Sequence, residues 1–340
     1  MNQSAQVAIC TRHGEARDVV EIQEKNLPAP KPGQVRVRML AAPINPSDLL
    51  FCQGNYGIGP QPPTSVGLEG VGIVETSGGG WFGRLLRGQR VSVISRQPGT
   101  WGTFCLTESQ TVIPLPTSLS DEQAAVFFIN PASALLMTRW ILKVPRGSWI
   151  MQSGAGSALG RMVIRLGNHF GFRTINIVRR NEQVHELQQL GGDAVFCADE
   201  STSPNEFTEQ IRDICHDDLP RYAVDPVGGR LGGMLFESLG EQGRMLCFAS
   251  LAGAPIPIDP RTMITHHRQL KGFWLGTVMQ SLSLIQKLQF IRQLGQLHQQ
   301  GVFQVETFET FPLAQVTAAL DAAARNHGAK KVLLKLDLES

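Results

Sequence analysis

No two cysteines stand at redox or metal-ligand spacing: Cys10, Cys52, Cys105, Cys197, Cys215 and Cys247 are scattered singly, with no C-x-x-C pair. That pattern excludes a zinc ribbon and a dithiol redox motif, argues against a disulfide framework, and points to a reducing, cytoplasmic compartment. Long apolar runs are also missing. A stretch such as 124–129 falls far short of the ~18 residues that span a bilayer, and residues 1–14 contain no apolar segment of the signal-peptide kind. The expectation is a soluble protein without a targeting segment. Neither sign of charge dominates, since 31 Lys and Arg against 29 Asp and Glu leave a net +2. Without a block of like charge, electrostatics proposes no nucleic-acid and no membrane partner. Tyrosine is scarce too: the only two are Tyr56 and Tyr222.

What is present is a core-forming composition. Of 340 residues, 42% are hydrophobic and 18% charged, with 35 glycines, which suits two folded domains with tight turns around a small ligand. The first third reads as β structure: Val35, Val37 and Met39 alternate with Arg36 and Arg38, and short apolar runs recur at 71–74, 91–94 and 104–106. Ser120-Asp121-Glu122-Gln123 is a capping box ahead of an apolar run over 124–144, in which Pro131 is expected to kink or break the helix. From Gly147 strands at 149–152, 174–178, 194–197, 222–225 and 244–249 alternate with helices at 160–170, 182–190, 205–215 and 231–239. That alternation predicts a doubly wound parallel sheet. A strand at 270–275 and a helix at 282–300 follow. Strand, helix and strand at 303–308, 313–324 and 332–335 are then expected to return to the first domain. The fold class is α/β, a β-rich domain joined to a doubly wound one.

The strand at 149–152 runs into Ser153-Gly154-Ala155-Gly156-Ser157-Ala158-Leu159-Gly160 and then a helix, a setting in which backbone N–H groups approach a pyrophosphate. The spacing departs from G-x-G-x-x-G, and the register that fits places Ala155 and Ser157 at the first two glycine positions. About 20 residues on, an NAD site places an acid against the ribose 2′-hydroxyl. Here the chain reads Asn176-Ile177-Val178-Arg179-Arg180-Asn181. A guanidinium binds a 2′-phosphate bidentately, so NADPH is the expected cofactor, the alternative being two solvated helix-start arginines.

Taken with Gly67-Leu68-Glu69-Gly70-Val71-Gly72, Asp225-Pro226-Val227-Gly228-Gly229 and Gly328-Ala329-Lys330-Lys331-Val332-Leu333, in that order, the sequence resembles the medium-chain dehydrogenase/reductase superfamily over nearly its whole length. The resemblance implies a GroES-like catalytic domain over 1–122 and a Rossmann NADPH-binding domain over 123–268. The last Rossmann strand and the return to the catalytic domain then fall in 269–340. Zinc-dependent members carry a Cys in C-x-x-D and a His in G-H-E; the matching positions here are Asn45 and Leu68, which supply neither thiolate nor imidazole. Among zinc-free members it is similar to the 2-enoyl thioester reductases of the mitochondrial enoyl-CoA/ACP type, with quinone oxidoreductases next. Gln53-Gly54-Asn55-Tyr56-Gly57 carries most of that likeness, and it implies Tyr56 as the proton donor. Two departures stand out: Asn130-Pro131-Ala132-Ser133-Ala134-Leu135 lacks the family's tyrosine, and the stretch 78–90 is unusual.

By the same resemblance the cofactor side comprises Asn45, Ser133, Gly154, Gly156, Ser157, Ala158, Leu159, Gly160, Arg179 and Arg180. It continues with Asp225, Val227, Ala249, Ser250, Leu251, Phe273, Trp274 and Leu275. Trp101, Phe127 and Trp274 are candidates for an acyl pocket, although an aromatic in a core-forming run is more often plain core. Glu69 and Asp48 read as structural carboxylates paired to a buried partner. His266-His267, near Arg261, Arg268 and Lys271, reads as a solvated basic loop, with a CoA phosphate as the alternative ligand. The expected activity is NADPH-dependent, zinc-independent reduction of a trans-2-enoyl thioester of CoA or acyl-carrier protein. The alternatives are a quinone or general enone reductase, and an NADPH-binding protein with little turnover. A homodimer is expected through the strand carrying Phe273-Trp274-Leu275.

Overall fold

A computed structural model of the chain describes residues 3–56, 61–95, 99–216, 218–325 and 330–337. The chain divides into two compact units, Met1–Ile129 with Val305–Ser340, and Asn130–Gln304. Among the described residues no helix is long and apolar enough to cross a membrane.

The first unit is built from β1 (Gln3–Cys10), β2 (Val20–Leu27), β3 (Gln34–Pro43), β4 (Thr64–Ser65), β5 (Glu69–Ser77), β6 (Arg90–Ile94), β7 (Phe104–Glu108) and β8 (Val112–Pro114). β1 lies between β2 and β4 in one antiparallel sheet, and β3 pairs with both β5 and β7 in another. Val35, Val37 and Met39 point into the main core cluster, as their alternation requires, and pack with Val91, Val93 and Trp101. The opposite face of β3 is covered as well. Arg36 is buried, lies 3.1 Å from Glu75 and stacks over the Phe104 ring, so this position is not the solvent-facing one that alternation suggests.

Only half of the capping box expected at Ser120 forms: its hydroxyl accepts from Gln123 N at 3.3 Å, while the Gln123 carboxamide turns away to the Val305 backbone. The helix break comes earlier than Pro131. A short helix Asp121–Ala125 ends, and a new one, Ile129–Leu135, takes Pro131 into its first turn, where the missing N–H has no intrahelical partner to lose. A π turn, Leu136–Ile141, follows, with Leu142 N bonded to Met137 O.

The second unit carries β9 (Trp149–Gln152), β10 (Arg173–Val178), β11 (Ala194–Cys197), β12 (Tyr222–Asp225), β13 (Arg244–Cys247) and β14 (Gln269–Gly272). All are parallel, in the order β11-β10-β9-β12-β13-β14, which reverses direction of growth at β9. That is the order of a dinucleotide-binding sheet, whose ligands sit at the carboxyl ends of the strands near the reversal. The inner strands, buried on both faces, are short and apolar: Met151, Ile175, Ile177, Ala223 and Met245 join Phe207 and Leu235 in one cluster.

Three expectations in the tail are corrected. The last strand ends at Gly272; Phe273 N still bonds Cys247 O, but Trp274 caps a helix that begins at Leu275, so Phe273-Trp274-Leu275 is no strand. The long helix is Leu284–Gln299, started by a capping box between Ser283 and Gln286, with the separate helix Leu275–Ser281 before it. The strand expected at 303–308 lies later, as β15 (Phe308–Pro312), and with the helix Val316–Arg325 and β16 (Lys331–Lys335) it makes the return to the first unit; β16 pairs with β15 and, antiparallel, with β3.

Candidate active site

In the first unit, four polar side chains with their chemistry far apart in sequence meet under 7% exposure. Asn45 precedes the helix Pro46–Cys52, and its N–H donates to Asp48 Oδ2 at 2.8 Å, fixing the helix start. Asn45 Nδ2 donates to Glu69 Oε2 at 3.4 Å, while its Oδ1 accepts from the Lys331 ammonium, which also donates to Ile44 O. Glu69 opens β5 and accepts on Oε1 from Phe128 N at 2.7 Å and Ile129 N at 2.8 Å. Burial pushes Asp48 up to about 7, with the Asn45 N–H and the Lys331 charge pulling the other way. It raises Glu69 and lowers Lys331 for the same reason. Two carboxyl groups and one ammonium thus share a buried cluster with Asn45 at its centre. The buried partner expected for Glu69 and Asp48 is Asn45, which bonds both, and Lys331 reaches them through Asn45. Sequence reasoning quoted Lys331 without a role; its signal is a lysine opening the apolar run Val332-Leu333-Leu334.

Tyr56 lies just beyond that helix. Gln53, Gly54 and Asn55 wind off it through backbone bonds to Leu49, Phe51 and Leu50, with Gly54 at φ 79° and His13 against the place a Cβ would take. Tyr56 is half-buried and packs on the main core. Burial first, and the Asp48 charge second, push its phenol further above its ordinary value, so it is fully protonated at neutral pH. Gly57, the last residue of the motif, lies outside the described residues, as do Gly328 and Ala329. Trp101 is a core residue, fully buried with its indole N–H on Pro43 O at 3.1 Å, and its assignment to a substrate pocket is corrected. Phe127 is buried as well, whereas Trp274, in the other unit, is 38% exposed.

A metal does not fit at Asn45. Its carboxamide oxygen already holds an ammonium, Leu68 offers no donor, and no group of three His, Cys, Asp or Glu side chains suited to a metal occurs among the described residues.

In the second unit the turn after β9 has the build of a phosphate cradle. Gly154 sits at φ 59°; a Cβ on Gly156 would strike the Gln183 amide at 2.2 Å, and one on Gly160 would strike Ala155 O at 2.5 Å. Gly160 therefore lets the helix Ala158–Phe170 press against the turn, the role of the third glycine in such motifs. Ser157 caps that helix by accepting from Gly160 N at 3.1 Å, which leaves Ala158 and Leu159 in its first turn. At the end of β10, Arg179 and Arg180 are exposed and form no side-chain hydrogen bond or ion pair with the described residues. Two unengaged guanidinium groups and a glycine turn on adjacent strands fit a 2′-phosphorylated dinucleotide.

Asp225 is fully buried rather than presented to a ligand. Its Oδ1 accepts from Ser153 Oγ and Val227 N, its Oδ2 from Gly228 N at 3.0 Å, so it braces the phosphate turn against the loop after β12. That loop in turn carries the next one, Leu251 N bonding Pro226 O and Ala252 N bonding Val227 O. Ala249, Ser250 and Leu251 are accordingly placed by backbone bonds, and Leu251 is 55% exposed. Ser133 is buried in the helix Ile129–Leu135, and Phe273 is buried beside the exposed Trp274. The Cys10 and Cys52 side chains lie in the same core cluster of the first unit.

Residues 31–117 match the alcohol dehydrogenase GroES-like domain family and residues 158–293 the zinc-binding dehydrogenase family. With this sheet order and this phosphate turn, the chain belongs to the medium-chain dehydrogenase/reductase superfamily. Within it, the chain is similar to the mitochondrial enoyl-acyl-carrier-protein reductase of Homo sapiens. The two are 31% identical over 328 residues, 95% of this chain and 87% of that protein. A solved chain from Bacillus thuringiensis, provisionally assigned as an NADPH:quinone reductase, superposes with a TM-score of 0.89 at 30% identity, covering 98% of this chain and all 100% of that one. The mitochondrial 2-enoyl thioester reductase Etr1p/Etr2p heterodimer from Candida tropicalis shares the fold, with a TM-score of 0.83 at 24% identity over 98% of this chain and 100% of that one.

Proposed function

We propose that the protein is an NADPH-dependent reductase of trans-2-enoyl thioesters carried on CoA or acyl-carrier protein. The observation that carries this reading is Tyr56, a half-buried phenol kept protonated by burial and by Asp48, in the turn that gives the sequence its likeness to enoyl reductases. Similarity to the human enoyl-acyl-carrier-protein reductase supports the substrate class.

When bound, the dihydronicotinamide supplies a hydride to the β-carbon of the enoyl group. The protein's own residues do the rest. Arg179 and Arg180 hold the 2′-phosphate, the backbone from Gly154 to Gly160 receives the pyrophosphate, and Asp225 keeps that turn in place. Tyr56 holds the proton that the α-carbon takes as the enolate collapses. No metal is required, because an enoyl thioester is already polarised for conjugate addition and Asn45 is engaged by Lys331. Elemental analysis of active protein is expected to find no stoichiometric zinc, and chelators are expected to leave the rate unchanged.

The fit to the Bacillus thuringiensis chain favours a second reading, an NADPH:quinone or general enone reductase. NADPH oxidation with crotonyl-CoA against benzoquinone separates the two: turnover confined to the quinone refutes the thioester reading, and turnover with neither acceptor indicates a binding protein. We further propose a homodimer and a cytoplasmic location. The first is supported by the open outer edge of β14, the second by six free cysteines.

A further inference from the structure

Three adjacent strands of the second unit begin in one row. Tyr222 of β12 stands beside Arg244 of β13, and Arg244 beside Gln269 of β14. The carboxyl ends of these strands, at Asp225, Cys247 and Gly272, bear the loops assigned to the cofactor. The row at the amino ends lies three residues back, roughly 10 Å away. There a cleft of about 550 Å³ opens, lined by Arg221, Tyr222, Gln242, Arg244, His267 and Gln269.

The lining has one kind of chemistry. It contains two guanidinium groups, an imidazole, two carboxamides and a phenol, and no carboxylate. Arg244 is held in place, donating to Leu142 O at 2.7 Å with its guanidinium over the Tyr222 ring at 5.3 Å. Arg221, Gln242, His267 and Gln269 make no side-chain hydrogen bond with the described residues, so their polar groups are available to a ligand. The backbone adds an independent sign. Four described residues other than glycine adopt a left-handed backbone, and two of them, Gln242 at φ 57° and His267 at φ 52°, line this cleft. Glycine would take those turns with less strain, yet both positions carry a hydrogen-bonding side chain. The two turns are tied together by Gln242 N donating to His266 O at 2.8 Å.

We infer that this cleft is a second anion site, which takes a small phosphorylated metabolite at the end of the sheet opposite the cofactor turn. The Arg221 guanidinium and the free N–H groups of Arg244 suit a phosphoryl or pyrophosphoryl group, the carboxamides and the phenol suit its ester oxygens, and the volume is that of a small-molecule site. The His266-His267 segment thereby gains a role that a merely solvated loop would not have.

Isothermal titration of pyrophosphate into the full-length protein tests this, at constant ionic strength and with NADP⁺ saturating, so that the cofactor's phosphate contacts are filled. One further site is expected. Its affinity should be unchanged in an Arg179→Gln/Arg180→Gln protein, where the cofactor site is disabled, so that the result stands apart from the cofactor assignment. Arg221→Gln with His267→Gly should weaken it at least ~tenfold. Arg221 and His267 are exposed and the glycine relieves backbone strain, so the variant is expected to keep its unfolding midpoint. Inorganic phosphate and ADP, titrated in parallel, distinguish a free phosphate from a nucleotide as the occupant. Absence of binding to the NADP⁺-saturated protein, or equal affinity in the Arg221/His267 variant, overturns the inference.

Discussion

At the scale of single residues, the site rests on what burial does to acids. Tyr56→Phe keeps the ring and its packing but removes the proton, so turnover with crotonyl-CoA should fall by ~10²–10⁴-fold while NADPH binding stays nearly intact. A quinone's oxyanion takes its proton from water, so the same change should matter little with benzoquinone. Pre-steady-state rates with both acceptors check this. Asp48 makes a second prediction through stability. Unfolded, its carboxyl ionises near 3.8; folded and buried, near about 7. Between those values the folded state holds more protons than the unfolded one, so stability falls as pH rises through that window. At about 1.4 kcal/mol per pH unit the full effect is of order a few kcal/mol, an upper bound because Lys331 and Glu69 titrate with it. Asp48→Asn removes the titration, and urea midpoints measured from pH 4 to 8 should lose that slope. An unaltered slope would show that another group carries it. Of these residues, Tyr56 and Asn45 were singled out by motif position, Asn45 as a cofactor contact, whereas the structure buries its side chain between Glu69 and Lys331. Lys331 was not: its partners are Ile44 and Asn45, and only the return of β16 beside β3 brings them together.

At the scale of elements, legibility followed the strength of local pattern. Strands β9, β11 and β12 fall on the residues that the alternation of apolar runs and turns predicts, and the N-cap at Ser120 forms as a hydrogen bond. Failures occurred where a short apolar run was compatible with two periods. Phe273-Trp274-Leu275 looks like a strand end by composition, but a strand and the first turn of a helix are not separable over three apolar residues. The stretch 78–90 contains a short helix, Trp81–Leu85, which its glycines concealed; Leu86 anchors it in the core while Trp81 and Leu85 stay exposed. The turn after β10 supplies the element-scale prediction. Arg179 and Arg180 are held by nothing but their backbone, so replacing both with Gln should leave the fold alone and remove charge-assisted phosphate bonds of ~1.5–3 kcal/mol. The preference for NADPH over NADH, measured as a ratio of dissociation constants, should narrow roughly ten- to hundredfold. Equal affinity for both cofactors in the unmodified protein would remove the basis for assigning NADPH.

At the scale of the whole molecule, the open question is what meets the outer edge of the parallel sheet. β14 has a neighbour on one side only, and three of its four residues are exposed. Close by in sequence, the helix Pro260–Thr265 exposes Met263 and Ile264, and the helix Leu284–Gln299 exposes Leu284, Ile285 and Leu288. An unprotected edge flanked by apolar side chains invites pairing, and a strand meeting its own copy across a two-fold axis closes the assembly at two. The ladder shows which bonds are available. Gln269 N and Phe273 N both donate toward β13, so by the alternation of a strand Lys271 does too, while the N–H groups of Leu270 and Gly272 point outward. A Cβ on Gly272 would meet no atom within 4 Å. Gly272→Pro therefore deletes an outward donor without touching the bonds to β13 or the core. Sedimentation at micromolar concentration should give the unmodified protein twice the 37.2 kDa chain mass, and the variant the mass of one chain with its circular dichroism unchanged. An unmodified protein that sediments as a monomer refutes the dimer. A Gly272→Pro protein that remains dimeric moves the interface away from the sheet edge to the exposed helices.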